Sequence, residues 1–443
     1  MNIVFISLDT LRADHLGCYG YFRDTSPHLD QLASEGVRFA NSISDAAHTV
    51  PAYTSMFTGL TPVSHGVMGT IWCLPNDNSD LLDDTTPTLA ECLQATGTLT
   101  CAIDNLHGMA FHPKWFPRGF EHYINYSTHP RRGKPRADDV NARALPWIEH
   151  HADRQFFLFV HYWDPHAGYG PPSPFDTTFA PEIGHAPRYT LPDGRECVSR
   201  WGPRERLTDD ALRKIALYDS EIRYVDDRVG QLLLLLKTHG LYDETLIVVN
   251  ADHGDDMVEH TANFEHRECY DTTIHTPLIV KLPAAMQTQA NVGTVVDELV
   301  SHADLMPTLL DLAEAPDVPQ MDGRSLKPFL MGQGGPTRDA TCSTGYWVWD
   351  AAHWRSVQMA VRTRDWKYIE RADVSALLDG PKRPIGFYHA KPELFQQLPT
   401  RELYDLAADR DEQTNLVERQ PQVAADLRAK LAPWLSSGRF AGR

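Results

Sequence analysis

Thr49, Asp9, the pair Asp252-His253, and His166 are the residues whose types and positions could do chemistry together. Thr49 is followed by Val50-Pro51, and proline suits the first turn of a helix, where a missing N–H costs nothing. Thr49 therefore stands at a helix N-terminus, a place that attracts anions. Its hydroxyl can serve there as a nucleophile toward a phosphate or sulfate ester, or as a simple N-cap. Asp9 follows the apolar run Ile3 to Leu8, and an acid at a strand's carboxyl end is a candidate metal ligand or a turn residue. Asp252-His253 ends a second such run, and His166 follows a third. Converging carboxylates and imidazole hold divalent ions. An ion touching the Thr49 oxygen would favour its alkoxide and take up charge on the reacting phosphoryl or sulfuryl group.

These residues need a scaffold that brings strand ends together. Asn2 to Leu8, Val37 to Ile43, Leu99 to Ile103, Gln155 to His161, Thr245 to Asn250 and Thr276 to Leu282 read as strands. Between them, helices are expected from Pro27 to Leu32, from Thr49 to Gly59, from Thr86 to Gly97, from Asp138 to His151 and from Asp209 to His239. Another runs from Asp304 to Ala313. Strand-then-helix order predicts an α/β fold, a large mostly parallel sheet with helices on both faces. After about Gly335 the texture changes. Gln358 to Arg362 and Trp366 to Ile369 alternate like antiparallel strands around a turn, and Gln422 to Leu435 closes as a helix. The expected organisation is a catalytic domain over 1–335 and a small C-terminal α+β lobe over 336–443. The stretches 108–136 and 168–206 read as loops that shape a pocket, with Trp347 or Trp349 as stacking surfaces or interface aromatics.

Composition narrows the partners. The 443 residues are 42% hydrophobic and 23% charged, an ordinary globular balance with ample core. A formal net charge of −18 argues against nucleic acid and anionic membranes, and an anionic substrate would need a local cation. No apolar run reaches the length of a membrane span. The first strand starts at Asn2 with no signal peptide before it, so a native start at Met1 predicts a cytoplasmic protein. Seven scattered cysteines, none in a Cys-x-x-Cys pair, read as reduced thiols. Most of the 21 histidines must be structural. His15, His28, His48 and His65 are read so, His161 as a satisfied strand-end residue, and Asp255, Asp256 and Glu259 as a solvated run.

The motifs also carry a family resemblance. Ser7-Leu8-Asp9-Thr10-Leu11-Arg12-Ala13-Asp14-His15-Leu16-Gly17-Cys18-Tyr19-Gly20 resembles the opening of sulfatase-type enzymes in the alkaline phosphatase superfamily. Thr25 to Phe39, Thr49 to Gly59, Asp252-His253-Gly254, His275 to Val280 and Glu402 to Leu406 continue the match in order. The resemblance implies that superfamily's fold and an ester hydrolase. Its metal ligands carry over to Asp9, Asp252, His253 and Thr49. It places His166 and His266 on the substrate side as acid and base, and Asn105 and His107 where relatives hold the anion with Lys-x-His. Tyr53 takes the place of an arginine.

The departures redirect the chemistry. Sulfatases have Cys or Ser where Thr49 stands and convert it to formylglycine, a route closed to threonine. Thr nucleophiles belong to the phosphatase-, pyrophosphatase- and phosphoethanolamine-transferase-like members. Thr10 replaces a second aspartate, as in phosphonate monoester hydrolases and other phosphodiesterases. Asp252-His253 favours Mn, Zn or Fe over Ca. One site is expected, and His166, His266 and Asp164 could form a second. The leading expectation is a metal-dependent phosphodiesterase or phosphonate monoesterase that forms a covalent phospho-Thr49 and takes a small anionic ester. The alternatives are a sulfatase using unmodified Thr49 and a non-catalytic anion-binding relative, with phosphoethanolamine transfer behind both. The sequence leaves a homo-oligomer open.

Overall fold

The strands of the large sheet are the chain's most apolar runs, and their ends share one edge. The computed structural model describes residues 1–67, 82–105, 115–125, 136–181, 186–191, 194–198, 201–260, 264–348, 355–373 and 398–436. The strands in chain order are β1 (Asn2–Leu8), β2 (Val37–Ile43), β3 (Leu99–Asp104), β4 (His122–Asn125) and β5 (Phe156–Tyr162). A small hairpin, β6 (Arg188–Thr190) and β7 (Glu196–Val198), precedes β8 (Thr245–Asn250), β9 (His275–Thr276), β10 (Leu278–Lys281) and β11 (Thr294–Ser301). The main sheet runs β11-β2-β10-β8-β1-β5-β3-β4, with β9 also on β2. Every neighbouring pair is parallel except those made by β9 and β10.

Alternation along β1 shows why helices cover both faces. Val4, Ile6 and Leu8 enter one core with α1 (Pro27–Glu35), α5 (Ala137–His150) and α6 (Asp209–Thr238). Ile3 and Phe5 enter a second core with α2 (Thr49–Thr58), α4 (Leu89–Ala95) and α8 (Leu305–Leu312). Two short helices, α3 (Pro62–His65) and α7 (Asp271–Ile274), lie between these in sequence, and α9 (Lys327–Leu330) follows α8. Successive strand residues point to opposite faces, so a strand apolar throughout needs two covers.

Register then sets the site. Leu8 lies opposite Tyr162, and Ser7 opposite Asn250. The segments leaving β1, β5 and β8 therefore emerge side by side. β2 runs parallel to β8, since both are antiparallel to the intervening β10. The segment after Ile43, which leads to Thr49, emerges at the same edge.

A second sheet, β12 (Thr341–Val348), β13 (Arg355–Arg362), β14 (Trp366–Asp373) and β15 (Arg401–Asp405), is antiparallel throughout. The closing helix α10 (Pro421–Ser436) packs on one face through Leu427 and Leu431. Ala360, Ile369 and Tyr404 pack the other face against Ile43, Ala47 and Ile274 of the larger sheet's surroundings.

Several strands depart from expectation. β11, β12 and β15 lie where none is expected, β6 and β7 fall within 168–206, and β4 falls within 108–136. There Trp115 and Phe116 are buried in the second core, not displayed toward a pocket. His107, Trp349 and the side chain of Trp347 fall outside the described residues. No helix among the described residues is long and apolar enough to cross a membrane.

Candidate metal and ester-hydrolysis site

Asp9, Asp252 and His253 are all fully buried, and one ligand atom from each lies within 4.8 Å of the others. Asp9 leaves β1 with its backbone N–H on the Tyr162 carbonyl at 2.9 Å. Thr10 follows with φ +56°, a left-handed conformation that is uncommon for a β-branched residue. Such strain persists only where surroundings over-determine it, and functional sites concentrate it. Here the Thr10 N–H donates to Asp252 Oδ1 at 3.1 Å, and the Tyr218 hydroxyl donates to the Thr10 carbonyl at 2.8 Å.

Asp252 is held by one oxygen. Its Oδ1 also accepts the His253 N–H at 2.9 Å, while Oδ2 accepts no hydrogen bond and lies 3.2 Å from His253 Nε2. His253 Nδ1 sits 2.9 Å from the Gly254 carbonyl, so Nδ1 carries the proton and Nε2 faces the site. Burial disfavours charge on this imidazole, but Asp252 and Asp9 outweigh it and raise its pKa above the ordinary histidine value. A buried carboxylate costs several kcal/mol unless compensated. Two carboxylates and an imidazole nitrogen, buried and converging with Asp252 Oδ2 accepting no hydrogen bond, fit a divalent ion.

Thr49 meets this group from α2. The residue before the helix is His48, and no side chain caps the helix. Thr49 Oγ1 instead lies 3.2 Å from His253 Nε2, which removes the N-cap alternative. The segment ahead of it is braced from both sheets. Ser44 Oγ donates to the Asp252 carbonyl at 2.6 Å, and Ser343 Oγ to the Ser44 carbonyl at 2.6 Å. The Ala47 N–H donates to the Thr344 carbonyl and the Thr344 N–H to the Asp45 carbonyl, a short parallel bridge at Ala46.

A row of rings continues outward. His266 stacks on His253 at 4.2 Å, faces His166 at 5.2 Å, and His166 stacks on Trp163 at 4.1 Å. His266 Nδ1 lies 2.7 Å from Asp255 Oδ1, and Tyr169 donates to Asp255 Oδ2 at 2.7 Å. Burial, with His253 and Arg267 nearby, keeps the His266 imidazole well below the usual pKa range. The same burial pushes the Asp255 carboxyl up.

Several expected roles need revising. Tyr53 is 1% exposed and bonds Ser7 Oγ at 2.8 Å, so it belongs to the second core and not to a substrate surface. Asn105 is also buried, and its Oδ1 accepts the Trp163 N–H at 2.8 Å, bracing the segment after β5. Asp164 Oδ2 accepts the Ala137 N–H at 3.0 Å, at the start of α5. Asp255 is the carboxylate beside His266. Asp255, Asp256 and Glu259 are not a solvated run, since each is at most 1% exposed. Acids are rarely so buried unless paired, and composition hides that pairing. His15 and His65 are structural, bonded to Asp219 and Ser55. His161 is buried with Nε2 3.4 Å from Asp9 Oδ2, closer to the site than a satisfied strand-end residue would be. The signal for Asp255 was its place, two residues after a strand-end ligand.

Sequence comparison fits this geometry. The family profile described as Sulfatase matches residues 1–315, and one described as N-sulphoglucosamine sulphohydrolase, C-terminal matches residues 259–390. The chain is 24% identical to arylsulfatase K of Bos taurus, covering 91% of this chain and 76% of that one. It is 27% identical to human arylsulfatase A, covering 94% and 83%. Its fold is similar to that of the phosphonate monoester hydrolase of Agrobacterium radiobacter, with a TM-score of 0.73 at 22% identity over 98% and 95% of the two chains. Members of this family are divalent-metal-dependent, as the ligand trio implies. The profile runs through Asp9, Thr49, Asp252 and His253 and most of the large sheet, so the chain belongs to the sulfatase family and is a hydrolase of ester bonds.

Proposed function

We propose that this protein hydrolyses phosphate esters, as a phosphodiesterase or phosphonate monoesterase, with Thr49 as the nucleophile. The observation that carries the reading is Thr49 Oγ1 at the start of α2, 3.2 Å from an imidazole of the buried ligand trio. Asp9, Asp252 and His253 would hold the ion, with Thr49 beside it, and the His253 nitrogen favours Mn, Zn or Fe over Ca. When bound, the ion supplies Lewis-acid stabilisation of negative charge on the nucleophile and on the reacting oxygens.

This chain's residues do the rest. Thr49 Oγ forms a bond to phosphorus in line with the departing P–O bond, and its proton leaves to solvent or a nearby base. The departing alcohol takes a proton from His166 or, once the ester's negative charge lifts its depressed pKa, from His266. Water then attacks the phosphothreonine and gives up a proton to the same histidine, while the P–O bond to Thr49 breaks and its oxygen takes a proton back from that base or from solvent. Support also comes from the fold's likeness to a phosphonate monoester hydrolase. The second reading, a sulfatase using unmodified Thr49, is favoured by the arylsulfatase relatives. The substrate in either case is a small anionic ester.

Matched aryl esters decide between them: a phosphate monoester, a phosphodiester, a phosphonate monoester and a sulfate, each assayed after Mn or Zn loading. The expected order places phosphodiester or phosphonate first. A sulfate turned over faster than every phosphorus ester defeats the proposal in favour of the second reading. Chelation is expected to abolish activity, with Mn or Zn restoring it better than Ca.

A further inference from the structure

Arg12 is 1% exposed, yet it touches both segments that carry the acids. Its Nη1 donates to the Asp255 carbonyl at 3.1 Å and to Glu259 Oε1 at 2.7 Å. Its Nε and Nη2 form a fork on Asp14, each at 2.9 Å. Its backbone N–H donates to the Tyr218 hydroxyl at 3.0 Å, the same hydroxyl that holds the Thr10 carbonyl. Glu259 extends the link, because its Oε2 accepts the N–H groups of Met257 and Val258 at 2.9 and 3.0 Å. One guanidinium thus ties the segment after β1, which bears Asp9, to the segment after β8, which bears Asp252 and His253.

Gly254 makes room for it. A Cβ there would lie 2.9 Å from Arg12 Cγ and 2.3 Å from the Thr272 carbonyl. The glycine after the ligand pair therefore answers to crowding and not to a left-handed turn. The physical need is clear. Two buried carboxylates aimed at one point repel each other, and segments free to relax would move apart. A planar fork with five donors can hold two chain segments at a set separation, which a lysine's point charge cannot.

We infer that Arg12 is a positioning residue for the metal site, holding the Asp9 and Asp252-His253 segments at ligand spacing before an ion arrives. The inference rests on the reading that Asp9, Asp252 and His253 hold a divalent ion. Groups that orient ligands without touching the ion change metal affinity by about 10–100-fold when lost.

The test measures Mn2+ affinity of the chelator-stripped full-length protein by competition with a fluorescent chelator, at a temperature where each variant is folded by circular dichroism. R12Q is expected to weaken Mn2+ binding about 10–100-fold, with R12K between it and wild type. K367Q, which breaks a buried ion pair in the second sheet, is the control. It should lower the thermal midpoint of the ion-free protein while leaving Mn2+ affinity at the wild-type value. Wild-type affinity in both Arg12 variants overturns the inference, as does an equal affinity loss in K367Q. Should neither Arg12 variant fold, Tyr218→Phe, which removes the hydroxyl that joins the Arg12 N–H to the Thr10 carbonyl, decides in the same assay: weakened Mn2+ binding supports the inference and wild-type affinity overturns it. A wild-type protein that binds neither Mn2+ nor Zn2+ defeats the metal reading itself, an outcome distinct from these.

Discussion

Two buried clusters of charge lie in this molecule, and they differ in what balances them. In the first, Asp252 meets two backbone N–H groups and an imidazole, and Asp9 beside it faces His161. In the second, between the two sheets, Asp271 and Glu412 meet Lys367 Nζ at 2.5 and 2.8 Å, and Arg362 reaches Asp271 at 3.1 Å. Lys367 is fully buried and Arg362 nearly so. The second cluster closes on itself, two acids with two cations. The first instead brings two carboxylates and an imidazole nitrogen to one point, the donor set of a divalent ion. Burial alone does not mark a functional site. Convergence of ligand atoms on one point does.

Breaking the first cluster should show in activity more than in folding. Thr49→Ala is expected to lower kcat by at least about 10³-fold on the best ester of the panel, because a lost nucleophile leaves only binding and electrostatics. Intact-protein mass spectrometry of acid-quenched wild type should show a phosphoryl adduct that the variant lacks. Full turnover by Thr49→Ala after metal reloading would remove Thr49 from the chemistry.

Breaking the second cluster should do the reverse. Lys367→Met leaves two carboxylates buried without their amine, a change that costs roughly 3–5 kcal/mol. Denaturant unfolding should report that loss, while kcat of the folded variant stays at the wild-type value. A variant with normal stability and lost activity would erase the distinction. Filling the first cluster should instead stabilise it. Mn2+ at about 1,000 times its dissociation constant is expected to add about 4 kcal/mol to the unfolding free energy of stripped protein. No shift in thermal midpoint on adding Mn2+ or Zn2+ would show that the trio does not hold an ion.

The contrast also explains what the amino-acid order made legible. β1, β5 and β8 are buried on both faces and read as unbroken apolar runs, so their ends, and Asp9 and Asp252-His253 on them, could be placed. β11 sits at the sheet's edge with Val295 half exposed, Asp297 and Glu298 in its middle, and a register shift between Val296 and Leu299. It has no apolar run to find, because one side of it meets solvent. Asp255, Asp256 and Glu259 look like surface charge, since their burial depends on Tyr169, the Glu265 backbone and Arg12, which lie far away or carry no local signal. The placement of Tyr53 is hidden for a related reason. Its neighbour Thr49 faces the site, but four residues along a helix is just over one turn, and Tyr53 reaches Ser7 of β1 inside the core.

A third kind of buried acid sharpens the comparison with the smallest effect. Asp226 on α6 carries the N-terminal turn of α1, accepting the N–H groups of His28 and Leu29 at 3.0 and 2.9 Å. It belongs to neither cluster. Burial pushes its pKa up from 3.8 to about 7, against those two hydrogen bonds. The folded state therefore keeps a proton that the unfolded chain releases near pH 4. This group's contribution is complete below that unfolded value and is lost as pH rises toward 7, so it makes the protein less stable with rising pH across that window. Asp226→Asn cannot ionise, keeps a carbonyl acceptor for the helix, and should flatten the fall in unfolding free energy between about pH 4 and 7. The ion-binding trio is untouched by this change, so Mn2+ affinity should stay constant. If the slope with pH is the same in wild type and variant, Asp226 is ionised in the fold, and its two backbone N–H groups suffice to hold a bare charge without an ion or a cation.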